Sequence, residues 1–132
     1  MTSRAELSKG EQQVAGVLWT LGEASVRQVC EAFPPERKMN FQTVQTYLRR
    51  LEAKGYLQAR LEGRTRIYKP KVRPKTVIRQ TVDDLVDRLF GGDALPLVRH
   101  LIEDRGITVE QIAELRTLLR ELENRSDERH RR

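Results

Sequence analysis

The run Asn40-Phe-Gln-Thr-Val-Gln-Thr-Tyr-Leu-Arg-Arg-Leu-Glu-Ala-Lys-Gly-Tyr-Leu57 constrains what this chain can fold into more than any other stretch. Wound as a helix, it puts Val44, Leu48 and Leu51 on one face at i, i+4 and i+7 spacing. At about 100° per residue the opposite face carries Gln42, Thr46 and Arg49, flanked by Thr43, Gln45 and Arg50. Almost no acid stands there. Short hydroxyls reach thymine methyls and phosphates, amides pair with adenine, and guanidinium groups grip guanine or phosphate. Asn40 is a good N-cap and Gly55 a good stop, which places the helix at 41–53.

The chain after this helix is extended and basic. Residues 56–61 and 66–69 read as two strands around the bend Glu62-Gly63-Arg64-Thr65, studded with Arg60, Arg64, Arg66 and Lys69. A helix with an acid-poor polar face feeding a basic hairpin is how a winged helix-turn-helix reads the major groove. On that reading Gln42, Thr43, Gln45, Thr46 and Arg49 meet bases, Arg50, Lys54, Arg64 and Arg66 chiefly hold phosphates, and Arg60 of the hairpin belongs to the same DNA-binding surface.

Upstream, residues 5–21 read as a first helix, with Leu7, Val14, Val17, Leu18 and Leu21 on its apolar face, Trp19 adding bulk and Gly22 at its end. Ser8 and Glu11 have the spacing of a capping box, so the regular helix can begin at Ser8. Ser25-Val26 is either a very short strand or the cap of a second helix through Cys30, Ala32 and Phe33. Pro34-Pro35 ends that helix, and 36–39 is a charged loop.

Pro70 and Pro74 bracket the basic linker 71–75, the expected domain boundary. Beyond it the chain reads as helical. Ile78, Val82, Leu85 and Leu89 form one stripe of a helix over 76–90, widened by Val77, Val86 and Phe90 and closed by Gly91-Gly92. A second helix, 94–104, carries Leu97, Val98, Leu101 and Ile102. Thr108 and Gln111 then open a third, with Ile112, Leu115, Leu119 and Leu122 at 3-4-3 spacing. Three short helices this rich in Leu and Val cannot bury themselves as one small monomer. They either pack back on the winged domain or interlock across a two-fold dimer, and the dimer is expected because a half-site reader generally needs a partner. The fold class predicted is mainly α with a small β-hairpin: a winged helix-turn-helix over 1–75, a helical dimerisation domain over 76–123, and a disordered polar tail over 124–132.

Charge supports this division. Residues 1–75 hold 15 basic and 7 acidic residues, net +8, whereas 76–132 hold 10 and 12, net −2. Basic charge gathered in one half points to a polyanion there, against the plainer reading of a solvated basic surface. No apolar run approaches the roughly 18 residues of a membrane span, and the start of the chain leads into no apolar signal core, so a cytoplasmic chain without membrane insertion is expected. Lone Cys30 fits a reducing compartment and a small core position. His100 and His130 have no partners at metal-ligand spacing, and there is neither a glycine-rich phosphate loop nor a nucleophile elbow. Asp83, Asp84 and Asp87 beside Arg79 and Arg88 read as a solvated face. The sequence therefore predicts no metal, no cofactor and no enzyme.

The run from Thr43 to Leu57, Thr-Val-Gln-Thr-Tyr-Leu-Arg-Arg-Leu-Glu-Ala-Lys-Gly-Tyr-Leu, resembles the penicillinase-repressor (BlaI/MecI-type) family. So do the opening Leu7-Ser8, Glu11, Val14 and Val17-Leu18-Trp19, the hairpin ending in Ile67-Tyr68, and the closing stretch from Leu101 to Leu119. The resemblance spans roughly 6–122. It implies a homodimeric repressor on a palindromic operator, with the recognition helix at 41–53 and the wing at 60–66. It also implies a partner for many members, a membrane sensor with a zinc metalloprotease domain that triggers cleavage at an Asn-Phe bond. The corresponding position here is His100-Leu101, a departure from that pair. A copper-responsive branch carries C-terminal Cys-x-Cys motifs, and this chain has no cysteine after Cys30.

Two other readings compete with a DNA-reading repressor. A winged helix that binds another protein would want aromatic or Leu anchors on the outward face of 41–53, where Gln42, Thr46 and Arg49 stand instead. A nonspecific architectural DNA binder would be Lys-rich without amides at groove positions, which Gln42 and Gln45 oppose.

Overall fold

The computed structural model describes residues 5–130. Ser8 opens α1 (Lys9–Leu21) through a complete capping box: its hydroxyl accepts from the Glu11 amide at 3.2 Å, and its own amide donates to Glu11 Oε1 at 2.8 Å. The regular helix thus starts at the later of the two expected positions, and Gly22, at φ 86°, ends it. Both readings of Ser25 hold together. Ala24–Ser25 forms the short strand β1, and Ser25 also caps α2 (Val26–Ala32) by bonding the Gln28 amide. A 3-10 turn, Pro35–Arg37, leads to Asn40, whose side chain accepts from the Thr43 amide at 2.8 Å and caps α3 (Phe41–Ala53).

The end of α3 is closed by two backbone bonds, Tyr56 N to Leu51 O and Gly55 N to Glu52 O, the paired bonds of a Schellman close around Gly55 at φ 88°. This turns the chain sharply into β2 (Leu57–Glu62), which pairs antiparallel with β3 (Thr65–Pro70) in the register Arg60 to Ile67 and Glu62 to Thr65. Gly63 supplies the positive φ of the two-residue turn. β3 also pairs with β1, so the sheet order is β1-β3-β2. Three helices backed by a three-stranded antiparallel sheet with a projecting hairpin make a winged helix-turn-helix, the fold class expected.

Val14, Leu18, Val29, Val44, Leu48, Leu51, Leu57 and Tyr68 are buried in a single core between these helices and the sheet. α1 and α3 approach closely enough at Gly10 that a Cβ there would lie 2.3 Å from the Tyr47 ring. Cys30 is half-buried against this core, its thiol donating to the Met39 carbonyl at 3.2 Å.

Three boundaries differ from expectation. The stretch 71–75 is no free linker: Lys71 and Val72 amides both bond the Tyr56 carbonyl, Val72 packs on the core, and α4 (Pro74–Phe90) already begins within it. Contacts divide the chain within α4, into units Met1–Thr81 and Val82–Arg132. Val77, only 4% exposed, belongs to the core of the first unit and not to the wider apolar stripe of α4. After α5 (Leu95–Glu103), α6 runs from Val109 to His130, through most of the segment expected as a disordered tail. Glu121 and Arg125 stand there at the i, i+4 spacing that supports an exposed helix.

Candidate nucleic-acid interface

α3 is fixed on its inner side by Val44, Leu48 and Leu51, and this decides which side chains face out. Gln42, Thr46, Arg49 and Arg50 are exposed, whereas Thr43 and Gln45 are half-buried on the flanks. Thr46 donates its hydroxyl to the Gln42 carbonyl at 2.9 Å, which fixes its rotamer and leaves its methyl and acceptor lone pairs for a partner. The Arg50 guanidinium lies 5.8 Å from the Tyr47 ring centre. Arg49 stands beside the Tyr68 hydroxyl, whose pKa is pushed up mainly by burial. Phe41, the first residue of α3, is 47% exposed, an aromatic at the groove end that the sequence pattern did not single out. Such a ring can meet a thymine methyl.

The cations expected on the DNA-binding surface of the hairpin divide into two groups. Arg64 sits at the turn of the hairpin with no ion pair among the described residues. Arg60 instead donates both terminal nitrogens to Glu23 at 2.8 Å and one of them to Glu62 at 2.8 Å. The hydrogen bond from Arg60 holds the Glu23 carboxyl below its ordinary pKa and raises that of Arg60 itself. Arg66 donates to both oxygens of Glu52 on α3 at 3.1 Å, and that bond raises the Arg66 pKa.

Lys54 departs furthest from its expected role. Its Nζ lies 2.6 Å from Glu11 Oε1 and 2.9 Å from the Glu6 carbonyl, which ties the end of α3 to the start of α1. The reason is electrostatic: Glu11 is only 1% exposed, and a carboxylate so buried needs a counter-charge. The capping box was legible in sequence; its ion-pair partner, more than forty positions away, was not.

The residues expected to dimerise carry their apolar surface outward. Ile78, Val82, Leu85 and Leu89 are exposed along α4, and Leu101, Ile112, Leu119 and Leu122 along α5 and α6, while Leu97 and Leu115 are half-buried. Among the described residues beyond Thr81, Val86 is the one buried side chain. His100 and Leu101 lie inside α5, with His100 Nδ1 2.5 Å from Asp104 Oδ2 and its ring tilted against Phe90. Among the described residues no group of His, Cys, Asp or Glu is placed to hold a metal, and no helix is long and apolar enough to cross a membrane.

The sequence model of the penicillinase repressor family matches residues 7–121, which takes in both units. The chain belongs to the penicillinase repressor family. The family is one of DNA-binding transcriptional repressors, not of enzymes. Among its relatives is a penicillinase repressor of Bacillus licheniformis, 28% identical over 123 residues, covering 93% of this chain and 96% of that protein. The methicillin resistance regulatory protein MecI of Mammaliicoccus sciuri is 24% identical over 114 residues, covering 86% and 93%. A solution structure of monomeric Bacillus licheniformis BlaI in complex with the blaP half-operator matches 57% of this chain and 92% of its own, with 28% identity and a TM-score of 0.47.

Proposed function

We propose that the protein is a cytoplasmic homodimeric repressor that reads a palindromic operator with α3, the wing steadying it on the phosphates. The observation that carries this reading is the outward face of α3, where Gln42, Thr46 and Arg49 stand exposed without an acid among them. Amide, hydroxyl and guanidinium groups on one rigid face are the donors and acceptors that distinguish base edges in the major groove. Two copies joined through α4, α5 and α6 place two such faces about one helical turn apart, each with its own half-site. The apolar side chains left exposed along those helices support the pairing.

Derepression follows from loss of that pairing, through a membrane sensor with a metalloprotease domain or a related signal. Gly91-Gly92 and Gly106, all at positive φ, flank α5, and a cut between them separates the DNA-reading part from the rest of its clamp. His100-Leu101 lies mid-helix, so a protease reaches that bond only after α5 unwinds; a nine-residue helix is short enough to do so readily. If full-length protein persists by immunoblot and mass spectrometry while target genes switch on, proteolysis is not the switch.

The test of base reading compares operator with random duplex. Thr46→Ala or Gln42→Ala should each cost about 1–3 kcal/mol on the operator and leave random DNA nearly unchanged. Arg64→Ala should weaken both alike and flatten the salt slope by about 0.9, one phosphate's worth. Equal losses on both duplexes for Thr46→Ala would sink the assignment.

A further inference from the structure

The wing is less basic than its arginines suggest. Arg60 is held by two carboxylates, from Glu23 beside β1 and Glu62 on its own strand, and Arg66 by Glu52 of α3. Arg66 meets both oxygens of Glu52 through a single terminal nitrogen, whereas the two terminal nitrogens of Arg60 meet one Glu23 oxygen each. That is the planar, two-pronged geometry in which arginine also binds phosphate. These acids therefore occupy both terminal nitrogens of Arg60 and one of Arg66, donors that DNA would use.

We propose that Glu23, Glu62 and Glu52 are specificity determinants of the DNA-binding surface. As built-in stand-ins for phosphate they hold Arg60 and Arg66 back from the backbone of non-operator DNA. The inference rests on the repressor reading above and adds to it the reason three acids stand among the cations of a DNA-facing surface. Phosphate contacts supply nearly all of nonspecific binding, so each arginine withheld weakens the hold on random sequence. Base contacts from α3 are untouched, and the ratio between operator and random DNA widens. All three pairs are exposed or partly so, and such pairs are weak enough to open when an operator seats α3 and brings its phosphates onto the wing. Arg64 at the hairpin turn, with no ion pair among the described residues, is the internal contrast: it is available to any duplex.

The test uses the full chain, an operator duplex and a random duplex of equal length, titrated by fluorescence anisotropy across salt. Glu23→Gln with Glu62→Gln should tighten random-duplex binding about two- to five-fold, the equilibrium worth of exposed pairs. It should also steepen the random-duplex salt slope by about 0.9 as Arg60 gains a phosphate. Operator binding should rise less, so discrimination narrows. In an Arg60→Ala background the same two substitutions should change nothing, since the acids act through that arginine. Glu52→Gln, read with and without Arg66→Ala, repeats the cycle on the other arm of the wing. A gain that persists without the arginine is mere long-range repulsion and overturns the proposal, as does weaker binding after either release. A wild-type chain that binds neither duplex fails at the repressor reading itself, a failure visible before any variant is made.

Discussion

Up to Thr81, large apolar side chains such as Val14, Leu18, Val44, Leu48 and Leu51 are closed off from solvent entirely. Beyond Thr81, Leu89 is 71% exposed, and Leu119 and Leu122 are more than half exposed. Both regions carry amphipathic helices, so periodicity alone does not separate them. The difference lies in what each helix faces: α1, α2, α3 and the start of α4 at Val77 converge with the sheet on one core, whereas beyond Thr81 the apolar side chains other than Val86 stay exposed or half-buried. One region closes its apolar surface within its own fold, and the other leaves much of it open to solvent, in keeping with the pairing proposed above.

The largest effect should come from cutting the two regions apart. A chain ending at Thr81 keeps Val77 in its core, which one ending at the linker would lose. It should remain folded, sediment as a monomer and lose operator affinity by about a hundred-fold or more, because each half-site then binds independently. A truncated chain that is still dimeric at micromolar concentration would show that the pairing does not depend on the helices beyond Thr81.

A smaller effect sharpens the contrast. Leu48→Ala empties a fully buried site and should cost about 2–5 kcal/mol of stability, the same at any protein concentration. Leu119→Ala removes an exposed side chain, and any loss should appear only where dimers form, growing with protein concentration. Thermal melts of both variants over a hundred-fold concentration range decide this. A concentration-independent loss for Leu119→Ala would mean that α6 is held within one copy.

What could be read in advance was what is local along the chain. The Asn40 cap, the i, i+4, i+7 stripe of α3, Gly55 and the Gly63 bend lie within a few residues of what they control, and each took its expected form. The outward face of α3 followed, since burying Val44, Leu48 and Leu51 leaves little freedom for the rest. Charge pairing across the fold was not legible. Lys54, Arg60 and Arg66 each look like DNA-binding cations in sequence, and only the folded chain brings Glu11, Glu23 and Glu52 to them. The boundary was missed for the same reason: Pro70 and Pro74 punctuate the backbone, but Val72 and Val77 pack on a core laid down far upstream.

The smallest effect concerns how the winged unit holds its recognition helix. Burial pushes the Glu11 carboxyl pKa up, but hydrogen bonds from Lys54 and Ser8 and the charge of Lys54 outweigh it and leave the carboxyl below its ordinary 4.5. A carboxyl with a depressed folded pKa stabilises the fold fully above its unfolded value. That contribution is lost as pH falls through the folded value, because the native state must then take up a proton it binds poorly. Full-length protein should therefore lose stability below about pH 4.5, where Glu11→Gln should lose less. Lys54→Met should cost about 1–3 kcal/mol near neutral pH, since a buried carboxylate is left without its cation. The gap between wild type and Lys54→Met should then close on acidification, once Glu11 is neutral in both. Urea denaturation of the three chains from pH 3 to pH 7 measures this. A gap that stays constant would mean that the Lys54 side chain holds α3 by packing alone, and that the charge on Glu11 has no part in it.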